Sequence, residues 1–347
     1  MQLVINSFGA YLRKQGDCFV VKNEDKQFEV SVRKVDSIMI TTGAFLSTDA
    51  IKAAMDHNID ILFLDEHGDP YGRVWHSKLG STTLIRRRQL EYADDARGLA
   101  LAQEWIAAKF DRQMEFLKKL AHARPEKEAD VLVYADRLTE GRKKLAALTG
   151  TLEEQRGTIM GLEGAAGRTY FEALSFIMPE RYRFEGRSRQ PAKDEFNCLL
   201  NYGYGVLYSM VEKACLVAGL DPYVGFVHTD NYNKKSLVFD LMEMFRYLTD
   251  QTVVYLFTGR KVKQEWFESV PGGMTLAKDG KAALIEALNE TFETSVRYRN
   301  RNIKQRDIIQ FECHRIANGL IKEAGDADLG GIRRVGDAET DEDCQGL

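Results

Sequence analysis

The first 76 residues alternate apolar and polar side chains with the period of two that is typical of β-strands. A polar stretch at residues 23–27 separates two of these segments as a hairpin turn would, and Ser47 is a favourable N-cap for one short helix. The predicted strands are CFVVKN (18–23), FEVSVRK (28–34), SIMITT (37–42), IDILFLD (59–65) and YGRVWH (71–76). The pattern therefore predicts a small β-rich domain over residues 1–76.

Apolar spacing changes to the helical period after a linker predicted at residues 77–83. About six helical segments follow, with no convincing strand among them. They are residues 84–124, 128–148, the segment that holds Glu163 and ends before Pro179, 196–219, 236–257 and 307–324. The predicted fold class is α+β, in which the β-rich domain precedes a larger all-α domain at 84–324 and an acidic, disordered tail at 325–347.

Composition favours a soluble, core-forming chain, since 44% of residues are hydrophobic and 29% are charged. No apolar run approaches the roughly 20 residues that a membrane helix needs. The N-terminus lacks the order of a signal peptide, and the five cysteines are scattered without a CxxC pair. We therefore expect a cytoplasmic protein with reduced thiols and no membrane partner.

Charge is distributed unevenly along the chain. Seven acids against two arginines from residue 326 onward give this tail −5, so the remaining residues carry +1 of the total −4. Two runs, 181–193 and 297–306, are strongly basic and contain aromatic residues, as in surfaces that follow a phosphate backbone. Solvated helix faces are the alternative interpretation. The arginines predicted to contact DNA are Arg181, Arg183, Arg187, Arg189, Arg297, Arg299 and Arg301, together with Arg168.

A possible metal site lies near His228, which closes an apolar stretch and opens a polar loop. Asp240 and Glu243 follow on the next predicted helix, three residues apart and therefore on one face. An imidazole at the mouth of a loop with two nearby carboxylates could bind an ion. A core histidine with two surface acids explains the same spacing.

Glu163 is a third candidate because small residues surround it. Gly161, Gly164 and Gly167 permit close approach by another backbone or a bulky polyanion. Stabilisation of a helix start by an acid is the alternative, although it does not require glycines. One histidine with carboxylates forms a donor set that suits Mg²⁺ or Mn²⁺ better than structural Zn²⁺, which together with basic surfaces indicates phosphodiester chemistry.

Three blocks of sequence resemble the CRISPR-associated integrase of the adaptation module, the first CRISPR-associated protein family. They are GLEGAAGRTYF (161–171), the block from Asn197 to His228, and SLVFDLMEMFR (236–246). Their order and spacing agree with the family, except that Gly167 stands where Ala or Arg is more usual. The resemblance extends over nearly the whole chain before the acidic tail.

This resemblance implies that Glu163, His228 and Glu243 ligate the metal ion and that Asp240 has a supporting or second-ion position. Arg168, Asn197 and Tyr202 fall in motif positions near the site. The implied activity is transesterification, in which the 3′-hydroxyl of new spacer DNA attacks a phosphodiester at the edge of the repeat. The implied assembly is a homodimer joined by the second CRISPR-associated protein.

Two other functions use the same residues. One is a stand-alone metal-dependent endonuclease that acts on branched or single-stranded DNA. The other is a DNA-binding scaffold of an adaptation complex without catalytic activity.

Overall fold

The computed structural model describes residues 2–23, 26–35, 37–57, 59–65, 70–74, 83–229 and 234–322. The predicted linker, except Thr83, and the predicted acidic tail lie outside these ranges. Eight described strands and one helix form the N-terminal part. They are β1 Gln2–Ile5, β2 Tyr11–Gln15, β3 Cys18–Asn23, β4 Lys26–Ser31, β5 Ser37–Ile40, β6 Phe45–Leu46, α1 Thr48–Asp56, β7 Asp60–Leu64 and β8 Pro70–Val74.

These strands form two four-stranded sheets with the orders β4-β3-β2-β6 and β1-β5-β7-β8. The pairs β1/β5, β5/β7 and β2/β6 are parallel, whereas the hairpin partners β2/β3, β3/β4 and β7/β8 are antiparallel. The alternating pattern predicted β3, β4, β5, β7 and β8. It did not reveal β1, β2 and β6, which are short or carry few apolar residues.

Helices dominate the rest of the described chain, and the predicted α+β fold class is confirmed. Several helices are longer or more interrupted than the sequence indicated. Their bounds are α2 Thr83–Ala93, α3 Ala96–His122, α4 Glu128–Ala146, α5 Leu152–Ile177, α6 Glu195–Val217, α7 Ser236–Met242, α8 Arg246–Thr258, α9 Lys278–Glu293 and α10 Gln305–Lys322.

The predicted helix at 84–124 is divided into α2 and α3, and α9 was not among the predicted segments. Two further features of this part differ from the sequence-based expectation. The segment predicted as one helix at 236–257 is broken at residues 243–245 between α7 and α8. Two antiparallel hairpins also occur where no strand was expected. Their strands are β9 Phe267–Val270 with β10 Gly273–Leu276, and β11 Ser295–Tyr298 with β12 Arg301–Lys304. Such short pairs bury too few residues to produce a clear alternating pattern.

The sheet of β5 and β7 packs against the helices, because Met39, Leu62 and Leu64 belong to the same buried cluster as α3 and α6. Buried charges reinforce this junction. Arg73 on β8 donates to the carbonyl oxygen of Ser209 at 2.7 Å. It also lies 3.2 Å from a carboxylate oxygen of Glu212 on α6.

Candidate active-site cleft

A cleft of about 1520 Å³ opens among α3, α5, α6 and the α7–α8 break. Seven cationic and four acidic side chains line it, so the cleft is positive although the whole chain is negative. The cations are Lys109, Arg168, Arg183, Arg187, Arg189, Lys234 and Arg246, and the acids are Glu163, Glu172, Glu185 and Glu243. Such a local field attracts polyanions irrespective of net charge.

Glu163 projects into the cleft from the middle of α5, not from the start of a helix. The helix begins earlier than predicted because Thr151 and Glu154 form a capping box. The helix-start interpretation of Glu163 is therefore wrong. A methyl group added at Gly161 or Gly164 would meet no atom within 4 Å, so packing within the described chain does not require glycine at either position.

The loop before α7 holds His228 at the edge of the cleft, and Asp240 on α7 fixes this loop. One carboxylate oxygen of Asp240 accepts hydrogen bonds from the backbone N–H groups of Phe226 at 2.6 Å and Val227 at 3.1 Å. The other accepts from the His228 backbone N–H at 2.9 Å and lies 2.6 Å from His228 Nδ1. A carboxylate bonded to Nδ1 orients the ring and leaves Nε2 as the ligand atom.

Asp240 is buried behind His228, with both oxygens engaged by this loop. The sequence motifs predicted either a supporting role for Asp240 or a role as ligand of a second ion. Its geometry suits the supporting role better. The catalytic role that the sequence assigned to Asp240 stays a prediction.

Glu243 lies in the break between α7 and α8, where its side chain is only 4% exposed. Arg246, three residues later, donates Nε–H to Glu243 Oε1 at 2.8 Å. Burial alone would raise the pKa of Glu243, but the nearby Arg246 guanidinium and Lys109 ammonium outweigh burial and lower this pKa to about 2. Glu243 is therefore ionised at neutral pH.

Lys109 on α3 joins the two glutamates. Its ammonium contacts Glu163 Oε1 and lies 2.6 Å from Glu243 Oε2, while its own side chain is 7% exposed. Burial disfavours the charged ammonium, yet the two carboxylates outweigh burial and raise the pKa of Lys109. Glu163 and Glu243, which are 80 positions apart in sequence, thus share one cation.

The donor set fits a hard divalent cation. Glu163 and Glu243 offer carboxylate oxygens, and His228 offers a ring nitrogen on the same cleft. Glu243 Oε2 is buried and finds no hydrogen-bond partner in the described chain despite the short distance to Lys109. Within the described ranges, no three His, Cys, Asp or Glu side chains stand ready-arranged around a single ion, since Lys109 lies between the two glutamates.

The eight arginines predicted to bind DNA fall into three sets. Four of them line the cleft: Arg168, Arg183, Arg187 and Arg189. Arg181 instead donates to Gln264 at 2.6 Å. The remaining three, Arg297, Arg299 and Arg301, lie on the β11–β12 hairpin, which contacts α10 and does not contribute to the cleft. Contact with DNA stays a prediction for all eight arginines.

Asn197 has a structural position beneath the cleft. Its Oδ1 accepts from an Arg187 guanidinium N–H and from the Ser188 backbone N–H, and its Nδ2 donates to the Gly186 carbonyl oxygen at 2.8 Å. Arg187 also donates to Asn201 Oδ1 at 2.8 Å. The two asparagines therefore fix the loop at residues 186–188 on α6.

Three tyrosines of α6, Tyr202, Tyr204 and Tyr208, also line the cleft. Tyr202 is 1% exposed, its hydroxyl has no hydrogen-bond partner among the described residues, and burial raises its pKa. Tyr204 donates its hydroxyl to Asp250 at 2.5 Å, and the guanidinium of Arg246 lies 4.6 Å from the centre of its ring. Burial raises the pKa of Asp250 to about 6.

Sequence reasoning did not identify Lys109, and Arg246 was noted only as the last residue of a motif. A signal for Lys109 exists in the sequence, because it shares the apolar stripe of α3 with Trp105, Phe110 and Phe116. Lysine is rarely fully buried without a partner. A lysine on a buried stripe therefore indicates carboxylates on a facing element.

Comparison with known proteins identifies the family. The family model described as CRISPR associated protein Cas1 matches residues 3–290. The chain belongs to the Cas1 family. It is 36% identical to CRISPR-associated endonuclease Cas1 1 of Archaeoglobus fulgidus over 89% of this chain and 93% of that protein. It is 30% identical to CRISPR-associated endonuclease Cas1 2 of Saccharolobus solfataricus, over 85% and 86% of the two chains. The family predicted from the three sequence blocks is thereby confirmed.

Solved structures share the Cas1 fold. A Cas1 protein from Thermotoga maritima aligns with a TM-score of 0.79 at 24% identity, covering 93% of this chain and 97% of that one. A casposase bound to integration product also aligns with a TM-score of 0.79, at 22% identity over 93% and 91% of the chains. No helix in the described part of this Cas1-family chain has the length and apolar character needed to cross a membrane.

Proposed function

We propose that this chain is the metal-dependent integrase of CRISPR adaptation. In this proposal, it joins 3′-hydroxyl ends of new spacer DNA to the repeat array. One observation carries the proposal: a single buried ammonium contacts both Glu163 and Glu243 in a cleft that His228 also lines. These are the three side chains that sequence motifs selected independently of the structure.

The charge of the cleft supports a nucleic-acid substrate. The excess of cations along its walls matches a phosphate backbone, and exposed Arg168, Arg183 and Arg189 have no carboxylate partner among the described residues. Relatives named as CRISPR-associated endonucleases and a structural neighbour named as a casposase bound to integration product agree with phosphodiester chemistry.

The reaction is an exchange of one phosphodiester bond for another. The incoming 3′-oxygen forms a bond to phosphorus, the bond from phosphorus to the 3′-oxygen of the repeat strand breaks, and the proton of the attacking hydroxyl is transferred to that leaving oxygen. Mg²⁺ or Mn²⁺ held by Glu163, His228 and Glu243 would supply Lewis acidity at the scissile phosphate. No protein nucleophile is required, because the DNA provides the attacking hydroxyl.

The side chains around the proposed ion site each have a defined task in this proposal. Asp240 orients His228, and Arg246 keeps Glu243 ionised and directed at the cleft. The arginines of the walls bind phosphates on either side of the scissile bond and hold the DNA in position. The open surface beside Gly161 and Gly164 leaves room for the DNA backbone.

Assembly as a homodimer with the second CRISPR-associated protein belongs to the same proposal. Solved complexes named Cas6-RT-Cas1–Cas2 contain a chain that resembles this one, with a TM-score of 0.76 at 22% identity over 93% of this chain and 35% of that one. Aromatic side chains are exposed on the N-terminal domain at Phe8, Phe45 and Tyr11, and the last two are paired across β2 and β6. Exposed apolar clusters of this kind are typical of protein interfaces.

A strand-transfer assay tests the function. The substrates are a labelled duplex with 3′-hydroxyl ends and a plasmid that carries the repeat array, with Mn²⁺ or Mg²⁺ and the partner protein present. We expect labelled DNA to join the plasmid at the repeat edge. Glu163→Gln, His228→Ala and Glu243→Gln should each lower this product more than about 100-fold, since each removes a ligand of the ion.

The same assay separates the alternatives. Cleavage of branched or single-stranded DNA without joined product indicates the stand-alone endonuclease. Binding of DNA without either product, under any divalent ion, indicates the scaffold. Full strand transfer by all three variants contradicts the proposed site.

A further inference from the structure

Lys109 occupies the position between the carboxylates that the proposed function assigns to a divalent ion. Its ammonium contacts Glu163 Oε1 and lies 2.6 Å from Glu243 Oε2, and both contacts are made from a side chain that is almost fully buried. An ammonium and a divalent cation cannot both lie between the same two oxygens, because they would overlap in space and repel one another.

The four side chains that meet at this contact have no net charge in the absence of an ion. Glu163 and Glu243 contribute two negative charges, while Lys109 and Arg246 contribute two positive ones. A divalent ion added to these four groups raises their charge by two in a partly buried environment, where such an excess is costly. Two glutamates and a histidine without these neighbouring cations would bind a divalent ion more tightly. Lys109 and Arg246 therefore lower the affinity of the site for the ion.

We propose that Lys109 is an internal cation that competes with the divalent ion for Glu163 and Glu243. This inference rests on the proposed function, because it takes those glutamates as ion ligands. The ammonium keeps the two carboxylates close together in the metal-free protein, and it must move away from their oxygens when the ion binds.

A phosphate group that enters the cleft gives the displaced ammonium a new partner. Phosphate oxygens accept hydrogen bonds from lysine as carboxylates do. Binding of the ion and binding of DNA are then coupled. The ion displaces the Lys109 ammonium, and the DNA phosphate stabilises the displaced ammonium, so each binding event makes the other more favourable. By reciprocity, DNA tightens ion binding by the same factor by which the ion tightens DNA binding.

Titration with Mn²⁺, followed by the electron paramagnetic resonance signal of the free ion, tests the competition without any turnover. In the absence of DNA, we expect Lys109→Met to bind Mn²⁺ about tenfold or more tightly than the wild type, since a like charge is removed at contact distance. Lys118→Met is the matched control, because Lys118 is an exposed residue of the same helix, and its variant should bind Mn²⁺ as the wild type does.

A second titration, with a repeat-containing duplex present, tests the coupling. DNA should tighten Mn²⁺ binding by the wild type and should tighten it less for Lys109→Met. Lys109→Gln, which is polar but uncharged, should behave like Lys109→Met if the charge of Lys109 is the cause. It replaces Lys109→Met in both titrations if the methionine variant folds poorly.

Equal or weaker Mn²⁺ binding by folded Lys109→Met and Lys109→Gln would overturn the competition. If Glu243→Gln abolishes Mn²⁺ binding in the same titration, the proposed metal site stands, and equal or weaker binding by the Lys109 variants overturns only the role of Lys109. If Mn²⁺ binding is unchanged in both Glu163→Gln and Glu243→Gln, the proposed metal site itself is wrong.

Discussion

The two walls that hold the predicted ion ligands are built differently. Glu163 lies on α5 with its side chain 31% exposed, and a methyl group added at the neighbouring Gly161 or Gly164 would meet no atom within 4 Å. Glu243, in contrast, is 4% exposed and bonded to Arg246. His228, on the same side as Glu243, is fixed by Asp240 through its ring and its backbone. The α5 wall leaves space, while the α7–α8 wall fixes its side chains.

This difference indicates a division of tasks. A rigid wall supplies ligands in a preset geometry, which lowers the cost of organising them when the ion binds. An open wall would let the DNA of the proposed function reach that ion. Variants of the rigid wall should therefore change affinity for the ion, and variants of the open wall should change access of DNA.

Among variants that keep all three proposed ion ligands, the largest effect is expected for Asp240→Asn, which disturbs the rigid wall. The asparagine NH₂ group would face backbone N–H donors of the loop and weaken control of the His228 ring. We expect the Mn²⁺ concentration for half-maximal strand transfer to rise about 10- to 100-fold, as for other residues that support a metal ligand. Saturating Mn²⁺ should restore much of the activity.

Asp250→Asn is the matched control for that experiment. Asp250 is also a buried carboxylate on this wall, but it accepts from Tyr204 and does not contact His228. Its variant should leave the Mn²⁺ requirement unchanged. An equal loss of activity at every Mn²⁺ concentration in Asp240→Asn would indicate a purely structural role for Asp240.

A smaller effect is expected when exposed arginines are neutralised, and two triple variants with the same charge change can be compared. Arg168→Gln, Arg183→Gln and Arg189→Gln together remove charge from the cleft, whereas Arg297→Gln, Arg299→Gln and Arg301→Gln remove it from the hairpin. The cleft variant should reduce the slope of log affinity against log salt by up to about 3.

The hairpin variant should change this slope less, because the hairpin lies outside the cleft. DNA binding measured by fluorescence anisotropy over a range of salt concentrations gives both slopes. A larger change in the hairpin variant would contradict the assignment of the cleft as the main DNA surface. It would instead show that DNA follows the second basic run.

The smallest effect concerns stability of the open wall. Gly161→Ala and Gly164→Ala should each raise the free energy of unfolding by about 0.5–1 kcal/mol, because alanine favours helix and its methyl group would meet no atom. Gly203→Ala on α6 is the control and should destabilise, since its methyl group would lie 2.6 Å from Thr249 Cγ2. Urea denaturation measures all three.

The larger Gly164→Leu variant then tests access. It should fold normally yet lose strand transfer while retaining Mn²⁺ binding, because the added side chain would occupy space that the proposed function assigns to DNA. Unchanged strand transfer in Gly164→Leu would show that these glycines have another purpose.

The sequence was sufficient to predict the family and the fold class. It was also sufficient to select the cleft residues that lie in the three motif blocks. Glu163, His228 and Glu243 lie in blocks whose spacing is specific, so they could be selected without coordinates. It was not sufficient for Lys109, because a lysine within an apolar stripe becomes informative only when the facing glutamates are known.

Local patterns also failed where tertiary contacts decide the backbone. The apolar periodicity of residues 236–257 continues across the break at Glu243, so it predicted one helix. The basic run at 297–306 was compatible with a helix face, but it forms a hairpin with positive φ at Arg299 and Asn300. Packing on α10, which no local pattern encodes, accompanies this turn.

The most direct test of the central claim is a crystal structure of the protein soaked in Mn²⁺, with anomalous scattering used to locate the ion. We expect one anomalous peak within about 2.0–2.3 Å of a Glu163 oxygen, a Glu243 oxygen and His228 Nε2, with the Lys109 ammonium displaced. A peak elsewhere, or an ion bound by His228 without either glutamate, would contradict this claim.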